Sequence, residues 1–161
     1  MIIRPAIVAD AAQIAEIWNV MITETLATFT TELKTPKGMA ERIAAHGNQS
    51  GSFVAATGAQ ISGFVTYGQF RAGPGYRHSM EHSIVLRQHG RQQGTGRALM
   101  AAAEAHAAEC GHHTMIAGVS SANPDGVAFH AALGYAHVAR IPEVGRKNGQ
   151  WLDLVVMQKI L

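Results

Sequence analysis

Arg91-Gln92-Gln93-Gly94-Thr95-Gly96 stands between a β-like run, Met80 to Leu86, and an Ala-rich stretch that reads as a helix from Thr95 to Cys110. A chain with this order must carry a strand into a tight turn and leave it directly as a helix. Glycines allow the turn while successive N–H groups stay unhindered, and the helix start adds the positive end of its dipole. The segment is therefore suited to cradle an anion. Neighbouring residues exclude two related loops. A P-loop ends in Gly-Lys-Ser/Thr, but Gly96 is followed by Arg97-Ala98. A dinucleotide fingerprint needs a third glycine where Leu99 stands and an acidic residue further on, where the chain has Thr114-Met115-Ile116. A glycine turn that only starts a helix remains compatible with these residues alone, so the rest of the chain has to decide.

With 161 residues, 47% hydrophobic and 15% charged, the chain suits one domain, 1–161, with a substantial core. A net charge of +2 without a run of lysines and arginines argues against a nucleic-acid partner. The single cysteine, Cys110, excludes an internal disulfide. No apolar run reaches membrane-spanning length and the first residues lack a signal-peptide core, so a cytoplasmic protein without membrane attachment is expected.

Ile2 to Ile7 reads as a strand. Asp10 and Gln13 then form a capping-box pattern before a helix bearing Ile14, Ile17, Trp18, Met21 and Ile22 on one face. A second helix is expected from Pro36 to His46. Ser52 to Ala56 and Ile61 to Tyr67 read as a hairpin, and Thr114 to Val119 as a later strand. Asn123-Pro124-Asp125 opens a short helix through Leu133. Tyr135 to Arg140 and Trp151 to Leu161 form a last strand pair around Asn148-Gly149. The order β-α-α-β-β-β-α-β-α-β-β predicts an α/β (α+β) fold: a mixed central sheet flanked by helices on both faces.

Arg-x-x-Gly-x-Gly between strand and helix, within this order of elements, resembles the pyrophosphate motif of the GNAT superfamily of N-acetyltransferases. Ala27-Thr28-Phe29, Gly75-Tyr76-Arg77-His78, Glu81-His82-Ser83, the run Phe129 to Tyr135 and Trp151-Leu152-Asp153 narrow the resemblance. They are similar to the branch acting on phosphinothricin, methionine sulfone and methionine sulfoximine. The resemblance implies acetyl-CoA as cosubstrate, acetylation of the α-amino group of a small amino-acid analogue, a homodimer and no metal. It implies cofactor contacts from Arg91, Gln92, Gln93, Gly94, Thr95, Gly96 and Arg97, from the main chain of Ile84, Val85 and Leu86, and from Asn123.

An ammonium cannot attack a thioester, so a base must take its proton. Glu81 matches the glutamate that the branch is thought to use. His130 stands where many superfamily members carry the tyrosine that protonates the departing thiolate; the imidazole could keep that role or be structural. Arg71 and Arg77 are candidates to grip a substrate carboxylate, Phe29 and Tyr76 to wall the side-chain pocket, and His82 and Ser83 to complete the substrate site. Spacing speaks against a metal: His78 and His82 on one strand are about 13 Å apart. Two other readings stay open: acetylation of another amine, such as a protein N-terminus, polyamine or antibiotic, and an acyl-CoA sensor without turnover.

Overall fold

The computed structural model describes residues 1–88 and 94–161, so Arg91, Gln92 and Gln93 of the cofactor loop lie outside the described residues. In chain order the elements are β1 (Ile2–Pro5), α1 (Ala11–Glu24), α2 (Pro36–Ala44), β2 (Gly51–Thr57), β3 (Gln60–Gln69) and β4 (Ser79–Leu86). They continue with α3 (Thr95–Glu109), β5 (Thr114–Ser120), α4 (Pro124–Ala132), β6 (Ala136–Lys147) and β7 (Gln150–Ile160). This is the order predicted from the sequence. The strands form one seven-stranded sheet, β1-β2-β3-β4-β5-β7-β6. Only β4 and β5 run parallel, which makes the sheet mixed.

Alternation along the strands sends neighbouring side chains to opposite faces. Val54 and Phe64 pack with Ile14, Ile17, Trp18 and Ile22 of α1 and Met39 and Ile43 of α2. Ala55 and Val65, one residue on, pack on the other face with Leu99, Met100 and Ala103 of α3, alongside Met80, Met115 and Met157. Each fully buried aliphatic or aromatic side chain contributes about 1.5–3 kcal/mol relative to exposure. The two cores thus fix α1 and α3 on opposite faces of the same strands.

Local details depart from the sequence reading in three places. The first strand stops at Pro5, and a 3-10 turn at Val8–Asp10 precedes α1. Asp10 does not cap α1 with its side chain: its carboxylate takes the Arg4 guanidinium fork at 2.7 and 2.9 Å and the Ile7 N–H at 2.9 Å. Gln13 instead reaches the β2–β3 turn, donating to Ala59 O and accepting from Ile61 N–H, both at 2.9 Å. The third departure is β6, which runs to Lys147 rather than ending at Arg140. Pro142 and a register shift between Ile141 and Gly145 interrupt its pattern. Asp153 holds that bulge, accepting from Arg140 Nε at 2.7 Å and from Glu143 N–H at 2.9 Å. The Asn148-Gly149 turn has φ of 50° and 77°, the paired positive values of a tight hairpin turn.

Candidate active site

The sheet splits at its centre. β4 pairs with β5 only at Ser79, Met80 and Glu81, whereas its pairing with β3 continues to Leu86. β5 meanwhile stays with β7 as far as Ser120. Past Glu81 the two parallel strands therefore diverge. Main-chain groups of β4 that face away from β3 look into the gap, because an antiparallel strand turns alternate residues to either side. A cleft of about 1260 Å³ opens there, above the usual range of about 300–1,000 Å³ for a single small-ligand pocket.

The structure brings Ile84, Val85, Leu86, His82 and Ser83 of β4 to the cleft wall, with Gly94, Gly96 and Arg97 at the start of α3. Asn123 and His130 line the wall contributed by α4. The Val85 side chain belongs to the core beneath α1, so its main chain is what it offers. Thr95 is buried, and its hydroxyl turns to Met1 Sδ at 3.3 Å, leaving its backbone N–H as the useful group. Gly94 stands before α3 in the left-handed region, φ 76°, without a side chain to cap the helix. The first-turn N–H groups after it have no intrahelical acceptor and suit an anion. Gly96 is needed for packing as well, since a Cβ there would stand 3.0 Å from the Phe129 ring and 3.4 Å from Leu86. Asn123 caps α4 by accepting the Gly126 N–H at 3.1 Å.

Glu81 lies where the split begins. A Cβ at Gly118 of β5 would stand 3.1 Å from Glu81 Oε1, so the bare glycine lets the carboxylate lie across the strand junction. The residue remains open to solvent. Desolvation by the surrounding protein lifts its carboxyl above the ordinary range, with Arg71 opposing that rise.

His82 and His130 are both buried, and their Nε2 atoms are 2.9 Å apart. His130 Nδ1 lies 2.7 Å from Gly126 O, which can only accept, so Nδ1 carries the hydrogen. In the neutral ring Nε2 is then an acceptor, and His82 Nε2–H donates to it. His82 Nδ1 is left without a hydrogen-bond partner among the described residues. The Ile116 main chain favours the charged form of His82 weakly, too poorly placed to complete a bond. Burial pulls both imidazoles down, His82 to about 3. Tyr135 packs edge-on against both rings and donates to Glu104, which also pairs with Lys159 at 2.6 Å. His130 therefore has both nitrogens engaged and no free N–H directed into the cleft.

The remaining substrate candidates are distributed differently. Phe29 lines a smaller adjoining cavity of about 130 Å³ with Ala27, Thr28, Gly118, Ser120 and Leu154. Arg71 lies over the Phe70 ring, 5.3 Å from its centroid, and acts electrostatically on Glu81. Tyr76 packs edge-on against Phe70 and stays exposed. Arg77 is not brought to the cleft: its Nε donates to His78 Nε2 at 2.9 Å. Among the described residues no group of three or more His, Cys, Asp or Glu could hold a metal. Sequence reasoning missed Gly118, although a lone glycine inside a strand signals a close approach of another group. Of the cleft wall at 25–28, Ala27 and Thr28 entered the sequence reading only as wording of the family branch, and Thr25 and Leu26 not at all.

Residues 3–156 match the family described as Acetyltransferase (GNAT) domain. The chain is 34% identical over 160 residues to the L-amino acid N-acyltransferase MnaT of Escherichia coli, covering 98% of this chain and 92% of that one. It is 33% identical to the L-methionine sulfoximine/L-methionine sulfone acetyltransferase of Salmonella typhimurium, covering 98% and 93%. A crystal structure of the GNAT phosphinothricin acetyltransferase of Sinorhizobium meliloti in complex with AcCoA superposes with a TM-score of 0.92 at 31% identity, covering 99% of this chain and 88% of that one. The chain thus belongs to the GNAT family of N-acetyltransferases and is similar, within it, to the branch containing the methionine sulfoximine, methionine sulfone and phosphinothricin enzymes.

Proposed function

We propose that this single-domain N-acetyltransferase uses acetyl-CoA to acetylate the α-amino group of a small amino-acid analogue such as methionine sulfoximine, methionine sulfone or phosphinothricin. The observation that carries this reading is Glu81 at the last paired position of β4 and β5, its carboxylate beside Gly118, which lines both the main cleft and the small side-chain cavity. The residues fit the cosubstrate. The N–H groups of Thr95, Gly96 and Arg97 and the Arg97 guanidinium would hold its pyrophosphate, and Asn123 and the main chain of Ile84 to Leu86 its arm. Gln92 of the preceding loop belongs to the same reading. Bound there, acetyl-CoA supplies the activated acetyl group.

The protein's part is to free the amine and fix it in place. Glu81 takes the ammonium proton on a carboxylate oxygen, directly or through water, and its raised pKa makes it a better base than an ordinary carboxylate. Arg71 beside it suits a substrate carboxylate. Phe29 walls the side-chain cavity. His130 acts by holding His82 and the α4 wall, because its nitrogens are engaged.

The protein acts as a homodimer in the cytoplasm. The dimer is supported by the exposed apolar residues Val138, Ile141 and Val144 of β6 and Trp151 of β7. The free Cys110 thiol suits a reducing compartment.

Incubating a panel of amines with acetyl-CoA and following product by liquid chromatography tests the activity. N-acetylated amino-acid analogues are expected, with turnover lowered about 10²-fold or more in Glu81→Gln and coenzyme A affinity unchanged. Product only from a polyamine, antibiotic or peptide N-terminus would reassign the substrate. Coenzyme A binding without any product would identify a sensor.

A further inference from the structure

Helix α1 ends without a glycine: Thr25 follows it in extended conformation, φ −134° and ψ 165°. The last carbonyls of such a helix have no partners in a next turn. Here one of them, Ile22 O, and two carbonyls of the residues that follow are met by a lysine from the far end of the chain. Lys147 Nζ, at the end of β6, donates to Ile22 O at 2.6 Å, Thr25 O at 2.8 Å and Thr28 O at 3.0 Å. Lys147 is 4% exposed, and none of the ion pairs among the described residues includes it. A buried ammonium without a counter-charge is costly unless all its N–H groups are satisfied. Ile22 O, at the negative end of the α1 dipole, and the Thr25 and Thr28 carbonyls just beyond the helix together meet that demand.

The same strand touches the segment a second time. Gly145 lies against Phe29 so closely that a Cβ would overlap the ring. At the far end of the α1–α2 connection, Asn19 accepts the Lys34 N–H at 2.8 Å and donates to Lys34 O at 2.9 Å. Within it, Thr25 Oγ1 donates to Met21 O at 2.7 Å and accepts the Ala27 N–H at 3.1 Å. The connection is thus held at both ends and pressed from β6. Its first residues, Thr25 to Thr28, wall the main cleft, while Ala27, Thr28 and Phe29 wall the smaller cavity. Gly118 borders both spaces and lies beside the Glu81 carboxylate.

We propose that Lys147 is a positioning residue for the amine, fixing residues 25–29 as the wall that sets the amine's side chain beside Glu81. This inference rests on the amine-acetylating reading above. The start of α3 and the β4 main chain, assigned there to coenzyme A, receive nothing from Lys147. Loss of the clamp should therefore separate amine recognition from cofactor binding, a separation that a merely structural lysine would not produce.

The test compares wild type and Lys147→Met, an unbranched replacement without charge or donors, at saturating acetyl-CoA. The amine KM should rise about tenfold or more, with kcat within about threefold of wild type and coenzyme A affinity by calorimetry unchanged. Gly145→Ala keeps the ammonium but displaces Phe29, and should raise the same KM; it carries the test if Lys147→Met does not fold. A wild type that acetylates amines, beside variants with unchanged amine KM or with kcat and coenzyme A affinity lowered together, overturns this inference alone. A wild type inactive on every amine overturns the functional reading and this inference with it.

Discussion

The His82–His130 contact shows how one carbonyl fixes the protonation of a buried pair. Gly126 O fixes the hydrogen on His130 Nδ1, which makes His130 Nε2 an acceptor and His82 Nε2 a donor. A proton added to the pair must enter a buried site lined by Phe129 and Tyr135. The fold accordingly keeps both rings neutral below the ordinary imidazole value of 6.5. The unfolded chain takes up protons near that pH that the folded chain refuses. Stability from the pair is thus complete above about pH 6.5 and falls as pH drops towards the folded values. For each proton so excluded, unfolding free energy should fall by about 1.4 kcal/mol per pH unit. Urea unfolding between about pH 6.5 and 4.5 should show this slope in wild type. A double variant, His82→Leu with His130→Phe, should show a shallower one, with His46, also lowered by burial, leaving a remainder. Equal slopes would mean that the pair is not neutral in the fold. In the sequence, His130 was visible as a position and His82 as part of a motif. Their mutual hydrogen bond was not, because the partners stand 48 residues apart and meet only after α4 folds onto the sheet.

At the scale of elements, the strand–loop–helix unit was the legible part, since glycine marks the turn and alanine the helix. Its geometry now separates the roles of the two glycines. Gly94 has nothing within 4 Å of a prospective Cβ but sits at φ 76°, whereas Gly96 is held by contact with Phe129 and Leu86. A β-branched residue at Gly94 would strain the backbone at the helix start without crowding its neighbours. Gly94→Val should therefore weaken coenzyme A binding at least about tenfold, or 1.4 kcal/mol, while moving the melting temperature less than Gly96→Val does. Calorimetry and thermal unfolding of the two variants would check this; unchanged coenzyme A affinity in Gly94→Val would detach the helix start from the ligand. The second half of β6 was not legible, for a contrasting reason. Pro142 and Gly145 read as strand breakers, but Asp153 on β7 absorbs the irregularity through Arg140 and the Glu143 N–H. That extension brings Gly145 and Lys147 under the α1–α2 connection, so the hidden part of the strand is the part that reaches the cleft wall.

Over the whole molecule, the element order was enough to predict a mixed sheet with helices on both faces. The resemblance assigned the main chain of Ile84, Val85 and Leu86 to the cofactor, but the residue at which β4 and β5 part was not legible, because pairing depends on which distant strand stops first. The sheet leaves β6 as an outer strand carrying Val138, Ile141 and Val144, with Trp151 on neighbouring β7, all 42–57% exposed. Pro142 removes one N–H from that edge, and the bulge breaks its register. Continuous strand addition is thereby discouraged, and packing of side chains against a second copy is favoured. A stable interface of this kind buries about 800 Å² per partner, which requires the apolar residues to act together. Light scattering of the purified protein at micromolar concentration should therefore give twice the 17.1 kDa chain mass. Val138→Lys combined with Val144→Lys places two like charges on each facing surface and should move the population to monomer, with little change in melting temperature measured at equal oligomeric state. A wild type that is monomeric under these conditions, or a doubly charged variant that remains dimeric, would remove this face from the dimer interface.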